Sequence, residues 1–105
     1  MKSKHSRLYT DIARQRIIRI YKLAVERARQ GDVEYARRLG LYAWNLYKST
    51  RVRIPRYIKR GICRRCGTPL IPGLTARVRL HSQGGMSYVT VTCLYCGWMR
   101  RYRYH

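Results

Sequence analysis

The chain has four cysteines, Cys63, Cys66, Cys93 and Cys96, which fall as two Cys-x-x-Cys pairs. Two residues between ligands let one tight turn present two sulfurs to a single ion. Four thiolates fill the tetrahedral shell of a structural Zn²⁺ and leave no open position. A glycine follows each pair, Gly67 and Gly97, where backbone folded around a metal often needs positive φ. The 26 residues between the pairs exceed the roughly 15–20 of the commonest spacing, and that length suits a long β-hairpin. The pattern predicts one structural zinc ion on Cys63, Cys66, Cys93 and Cys96. A disulfide framework needs an oxidising compartment, and the stretch Met1 to Arg7 has no apolar signal-peptide core. A thioredoxin-like motif needs one pair in a βαβ setting, and catalytic zinc keeps a position open.

At 105 residues the chain makes one small domain or two half-domains, with a modest core. The cysteine-bearing part is too small to be stable without a metal or a partner. No apolar run approaches the ~20 residues that span a membrane, so the expectation is a soluble, cytoplasmic protein with no membrane contact.

Charge constrains the partner. There are 24 Lys and Arg against 4 Asp and Glu, a formal net charge of +20. Such a field repels itself in an isolated compact chain and favours a polyanion. Arginine outnumbers lysine 19 to 5, and guanidinium binds phosphate bidentately and stacks on bases, which suits structured RNA. The acids, Asp11, Glu26, Asp32 and Glu34, all lie early, and no carboxylate side chain follows Glu34. A Mg²⁺-dependent nuclease holds its metal with carboxylates, so the last two-thirds of the chain cannot build that site. The histidines, His5, His81 and His105, are scattered, whereas a metal-independent nuclease wants a paired acid and base.

Hydrophobic periodicity divides the chain into a flexible basic N-terminus (1–6), a helical hairpin (7–49), an extended basic linker (50–60) and a zinc ribbon (61–105). Tyr9, Ala13, Ile17, Ile20, Tyr21, Ala24 and Ala28 recur at helical spacing from about Leu8 to Arg29. Gly31 suits the residue just past that helix. Asp32 is a natural N-cap for the next one, with Glu34 in its first turn and within reach of Arg38. The short connection implies antiparallel helices. Pro55 holds Ile54 extended, with Val52 and Ile54 inward and Arg51 and Arg53 outward. Strands follow at Thr75–His81, Ser87–Cys93 and Trp98–Tyr104. Ala76, Val78 and Leu80 form the covered side of the first. The expected fold is a small α+β chain: an antiparallel two-helix hairpin, an extended linker and a zinc ribbon with a three-stranded antiparallel sheet.

The metal would gather the basic residues into one surface. Lys59, Arg60, Arg64 and Arg65 surround the first cysteine turn, Arg77 and Arg79 lie on the first strand, and Arg100, Arg101 and Arg103 interleave with Tyr102 and Tyr104 on the last. Cations among aromatics neutralise phosphates and stack on unpaired bases, so these nine are the candidate RNA contacts. Ten tyrosines and no phenylalanine suit wet interfaces. A two-helix hairpin has little interior, and Ile17, Ile20, Tyr21, Ala36, Leu39, Ala43 and Trp44 are candidates for an apolar face that meets a protein partner. The hairpin is expected to stay helical if the ribbon loses its metal.

Three motifs together carry a resemblance. They are Ile54-Pro55-Arg56-Tyr57-Ile58-Lys59-Arg60-Gly61-Ile62-Cys63-Arg64-Arg65-Cys66, the run Leu70-Ile71-Pro72-Gly73-Leu74-Thr75-Ala76-Arg77-Val78-Arg79, and the closing Cys93-Leu94-Tyr95-Cys96-Gly97. Over nearly its whole length the chain resembles the archaeal ribonuclease P protein component 4 family, the zinc-ribbon subunits shared with eukaryotic ribonuclease P. The resemblance implies a non-catalytic subunit of the ribonucleoprotein that removes the 5′ leader of precursor tRNA. The RNA subunit carries the catalytic centre, with Mg²⁺. The protein pairs with another subunit, component 1, through its N-terminal helices, and the pair binds the specificity domain of the RNA, with precursor tRNA as a further candidate contact. The alternatives are a zinc-ribbon ribosomal protein, a transcription-type ribbon and an autonomous nuclease.

Overall fold

A computed structural model describes residues 4–103. The first helix, α1, spans Lys4–Arg29 and the second, α2, spans Val33–Thr50. One turn ends the first and starts the second. Gly31 takes a φ of 93°, the Asp32 amide reaches back to the Arg27 carbonyl at 3.0 Å, and the Asp32 carboxylate accepts from the Tyr35 amide at 3.3 Å. This is a glycine-terminated helix running into a side-chain N-cap. The helices pack closely because their facing residues are small: Ala13, Ala24, Ala28, Ala36 and Ala43 are all buried.

Two expectations change here. α1 starts at Lys4, so residues 4–6 belong to the helix rather than to a flexible tail; no proline or glycine interrupts the stretch, and residues 1–3 lie outside the described part. Glu34 pairs with Arg37 at 3.6 Å, not with Arg38. Positions three apart are neighbours on a helix just as those four apart are.

The linker is not extended throughout. Val52 and Ile54 run inward as expected, but residues Arg56–Lys59 form a single helical turn, α3. Pro55 explains both halves. It keeps Ile54 out of the α region, and as the cap residue it needs no amide donor for the turn that follows. The turn drives Ile58 into the interior, fully buried, where it joins Ile17, Ala43, Trp44, Val52 and Ile62 in one core. The hairpin therefore gains its interior from the linker.

The ribbon follows as β1 (Ala76–Gln83), β2 (Met86–Cys93) and β3 (Met99–Arg103), an antiparallel sheet in the order β1-β2-β3. Register sets the faces. Ala76 sits opposite Cys93, Val78 opposite Val91 and Leu80 opposite Val89, while Arg100 and Tyr102 continue those rows on β3. Only the knuckle end of this face is packed, by Cys63, Cys66, Leu70, Ala76 and Cys93 with Trp98. Val78 and Leu80, expected to be covered, are 42% and 73% exposed. The hairpin of β1 and β2 runs on past the material that could cover it. Tyr104, expected to close the last strand, lies outside the described residues.

Candidate metal centre and basic surfaces

Each cysteine pair is carried by the same small turn. In the first, the Gly67 amide donates to the Cys63 carbonyl at 2.8 Å and the Cys63 amide to the Thr68 carbonyl at 2.9 Å. In the second, Gly97 donates to Cys93 at 2.9 Å and Cys93 to the Trp98 carbonyl at 2.8 Å. Gly67 and Gly97 both sit at φ 81°, a left-handed conformation that side chains disfavour, as the sequence pattern requires. The turns face each other. All four sulfurs lie within 4.8 Å of one another, with Cys63 and Cys96 3.4 Å apart and Cys66 and Cys93 3.6 Å apart. Thiolates about 2.3 Å from one tetrahedral ion stand roughly 3.8 Å from each other, so the cage is the size of a single metal.

A second layer holds the cage. The buried Thr68 hydroxyl lies 2.9 Å from the Cys66 sulfur. Thr75, fully buried, accepts from the Ile71 amide at 2.7 Å and donates to the Pro69 carbonyl. Its own carbonyl accepts from the Leu94 amide at 2.9 Å, which ties the two knuckles together. Burial pushes the Cys63 and Cys93 thiols up. Burial acts on Cys66 in the same sense, but hydrogen bonds from the hydroxyl and amide of Thr68, together with those to Cys63 and Cys93, outweigh it and bring this thiol down to about 7. A metal entering the cage therefore displaces protons.

The first knuckle also docks on α2. A Cβ placed on Gly40 would lie 1.7 Å from the Gly67 carbonyl oxygen. Helix and knuckle meet backbone to backbone, and no residue but glycine fits at position 40.

The basic residues separate into two groups. Lys59, Arg60, Arg64, Arg100 and Arg101, together with Arg56, line a cleft of about 270 Å³ between the helical part and β3. Several lie over aromatic rings: Arg60 over Tyr102 at 4.5 Å, Arg64 over Trp44 at 5.0 Å and Lys59 over Tyr47 at 5.5 Å. These contacts hold the cations in place while leaving their charge uncancelled. Arg77 and Arg79 stand on the opposite face of the sheet, and Arg101 borders both groups. Arg103 lies beside Met86 and Tyr88. Arg65 is exposed on the knuckle and lines neither group. Sequence reasoning passed over Arg56, whose signal was its spacing of three and four from Lys59 and Arg60 on a helical turn. It also passed over His81 and Tyr88, which stack across β1 and β2 at 4.7 Å.

The apolar face of the hairpin needs correction. Ile17, Ala36, Ala43 and Trp44 are buried inside the chain, and Ile20 and Tyr21 pack against the same core. The four buried residues have no surface to offer a partner. Leu39 is half-buried. The large apolar groups that do face outward on α1 are Leu8, Tyr9, Ile12 and Leu23, at 60%, 63%, 51% and 39% exposure. No helix among the described residues is long and apolar enough to cross a membrane.

A ribbon closed by four clustered cysteines and braced on a helical hairpin, with cations lining a cleft and one sheet face, defines a small polyanion-binding protein. Residues 16–97 match the family described as the RNAse P Rpr2/Rpp21/SNM1 subunit domain, and the chain belongs to that family. Among curated relatives, ribonuclease P protein component 4 of Aeropyrum pernix is 54% identical over 99% of this chain, which spans 66% of that relative's length. The Hyperthermus butylicus protein of the same name is 45% identical over 96% of this chain and 88% of its own. Among solved structures, a chain in the cryo-EM structure of archaeal ribonuclease P with mature tRNA superposes with a TM-score of 0.81. It is 39% identical, over 89% of this chain and 77% of its own. The structure of Pfu Rpp21 superposes with a TM-score of 0.63 at 39% identity, over 86% of this chain and 97% of its own. Family membership sets aside the ribosomal and transcription-type alternatives.

Proposed function

We propose that this chain is the component 4 subunit of a ribonuclease P and acts as an RNA-binding scaffold in removing the 5′ leader of precursor tRNA. The observation that carries the reading is the cleft of six cations, Arg56, Lys59, Arg60, Arg64, Arg100 and Arg101, in a chain with no carboxylate side chain after Glu34. A preorganised cluster of guanidiniums neutralises phosphates brought close together by a folded RNA. The RNA subunit then holds its active fold and takes precursor tRNA more readily. Lys59, Arg60, Arg64, Arg100 and Arg101 make the main phosphate contacts, with Arg65, Arg77, Arg79 and Arg103 on the periphery.

Cys63, Cys66, Cys93 and Cys96 hold one zinc ion. The thiolate donor set and the spacing of the sulfurs fit it, and when bound the metal supplies folding energy, not reactivity. Leu8, Ile12 and Leu23, exposed on one side of α1 with Arg16 and Arg19 between them, offer the contact for the component 1 subunit. The complex works in the cytoplasm, where thiols stay reduced.

The test is binding of the zinc-loaded chain to ribonuclease P RNA across a salt series. The logarithm of affinity falls with the logarithm of salt by about 0.7–0.9 per phosphate contacted, and Arg60→Ala lowers that slope by about one contact. An affinity that ignores salt overturns the reading.

A further inference from the structure

The face of the sheet turned away from the metal bears a trough that the cleft does not explain. Its floor is the middle strand, where the residues are small: Thr90, buried, and Thr92. β1 raises one wall with Arg77 and Arg79, and β3 the other with Met99 and Arg101. Register fixes these walls, because Arg77, Thr92 and Met99 form one row and Arg79, Thr90 and Arg101 the next. The third row closes the end. His81 lies opposite Tyr88, their rings parallel within 10° and 4.7 Å apart. The Arg101 guanidinium lies over the Tyr88 ring at 5.4 Å. Arg103 is the partner of Tyr88 on β3, and Arg101 reaches over the ring from the row before, so an imidazole, a phenol and a guanidinium form one stack.

We propose that this trough binds an unpaired nucleotide of an RNA, with its base added to the open end of the His81–Tyr88–Arg101 stack and its flanking phosphates on Arg77 and Arg79. The assignment rests on the RNA-subunit reading and adds a division of labour to it. The cleft on the other face takes phosphates irrespective of pairing, and the trough selects single-stranded nucleotides.

Size argues for a single strand. The walls stand two strand spacings apart, about 10 Å, and the open trough between them holds about 210 Å³. That admits one base with its sugar and excludes the body of a double helix. The chemistry argues for a base rather than an acidic peptide. Arginines alone would suit either, but an aromatic row beside them adds a stacking surface that only a flat ring uses fully, and stacking tolerates any base. The threonine hydroxyls on the floor both donate and accept, so they fit the edge of any base as well. The site should be selective for unpaired RNA and indifferent to sequence.

The experiment uses the full zinc-loaded chain with a single-stranded oligoribonucleotide of about ten nucleotides, the same strand annealed to its complement, and poly-glutamate as competitor. Fluorescence anisotropy at several salt concentrations gives affinity and slope. Wild type should prefer the single strand to the duplex. Tyr88→Ala should weaken single-strand binding about tenfold with no change in salt slope, while duplex binding stays the same. Tyr88→Phe, which keeps the ring, should bind as wild type does. Arg79→Gln should lower the single-strand slope by about 0.7. His81→Gln tests the same row from the neighbouring strand if Tyr88→Ala fails to retain zinc. Equal binding of single strand and duplex, full competition by poly-glutamate, or no loss in Tyr88→Ala and His81→Gln overturns the assignment. Those outcomes leave the subunit role standing if wild type still binds ribonuclease P RNA, whereas failure to bind that RNA at all removes the basis of both.

Discussion

Replacing Gly40 by alanine sets two effects of opposite sign against each other. In the interior of an exposed helix, Gly→Ala stabilises by about 1 kcal/mol, because glycine loses more backbone freedom on folding. Gly40 is buried in the middle of α2, and its Cβ would lie 1.7 Å from the Gly67 carbonyl oxygen and 2.8 Å from the carbonyl carbon. The obstructing atoms are backbone, so no rotamer change clears them. Either α2 or the first knuckle must move by more than an ångström. Overpacking typically costs about 1–3 kcal/mol, and a backbone clash this deep belongs at the upper end, about 2–3 kcal/mol; here the moving part also carries two of the four sulfurs. The net expectation for Gly40→Ala is a loss of about 1–2 kcal/mol or more, or about 4–8 °C in Tm per kcal/mol for a chain of this size. The assay is urea unfolding of the zinc-loaded protein, followed by helix signal, with zinc release to a colorimetric chelator measured in parallel. Zinc should leave Gly40→Ala faster than wild type. A variant that is more stable by the propensity gain and equally slow to release zinc would refute the docking of the knuckle on α2.

Further outcomes follow from the same packing. Cys63→Ser should lose the metal and, contrary to the expectation from sequence that the hairpin stays helical without it, also loosen the hairpin. Ile62, the neighbour of Cys63, sits in the hairpin core, so helix and ribbon should melt together; a hairpin that keeps its full helix signal and melting temperature contradicts this. Ile12→Glu should abolish pairing with the component 1 subunit, judged by size-exclusion chromatography, with the fold intact. Ile17→Ala should cost about 2–5 kcal/mol of stability in urea, and the reverse pattern would restore the buried face as the partner surface. Arg51 closes α2 at φ 52°, a left-handed conformation that costs an ordinary residue about 1–2 kcal/mol. Arg51→Gly should therefore stabilise by up to about 1 kcal/mol in urea, and a loss of stability would rule out that strain.

What the sequence disclosed follows from how local each signal was. The cage was legible because Cys-x-x-Cys-Gly encodes its own turn, twice, and four thiolates have one common use. The helical hairpin was legible because Gly31-Asp32 ends one helix and caps the next. The linker turn was missed because Arg56–Lys59 is too short to show a period, and Pro55, which fixes Ile54 as extended, also opens helices. The burial of Ile17, Ala36, Ala43 and Trp44 was hidden for a different reason. Periodicity marks which residues share a face, but not what covers it, and here Val52, Ile58 and Ile62 fold back over Ile17 and Trp44. Likewise the alternation of Val78 and Leu80 signals a strand correctly while saying nothing of whether the body reaches that far. The pairing of His81 with Tyr88 depends on register, which two separate strands do not declare.

Cleavage of precursor tRNA by ribonuclease P RNA at limiting Mg²⁺, with the component 1 subunit and with or without this chain, tests the central claim most directly. Magnesium and this chain both offset phosphate repulsion, so the chain should raise cleavage most where Mg²⁺ is scarce, and only when the RNA subunit is present. Cleavage by the chain without that RNA, or no change in rate at any Mg²⁺ concentration, would contradict the account.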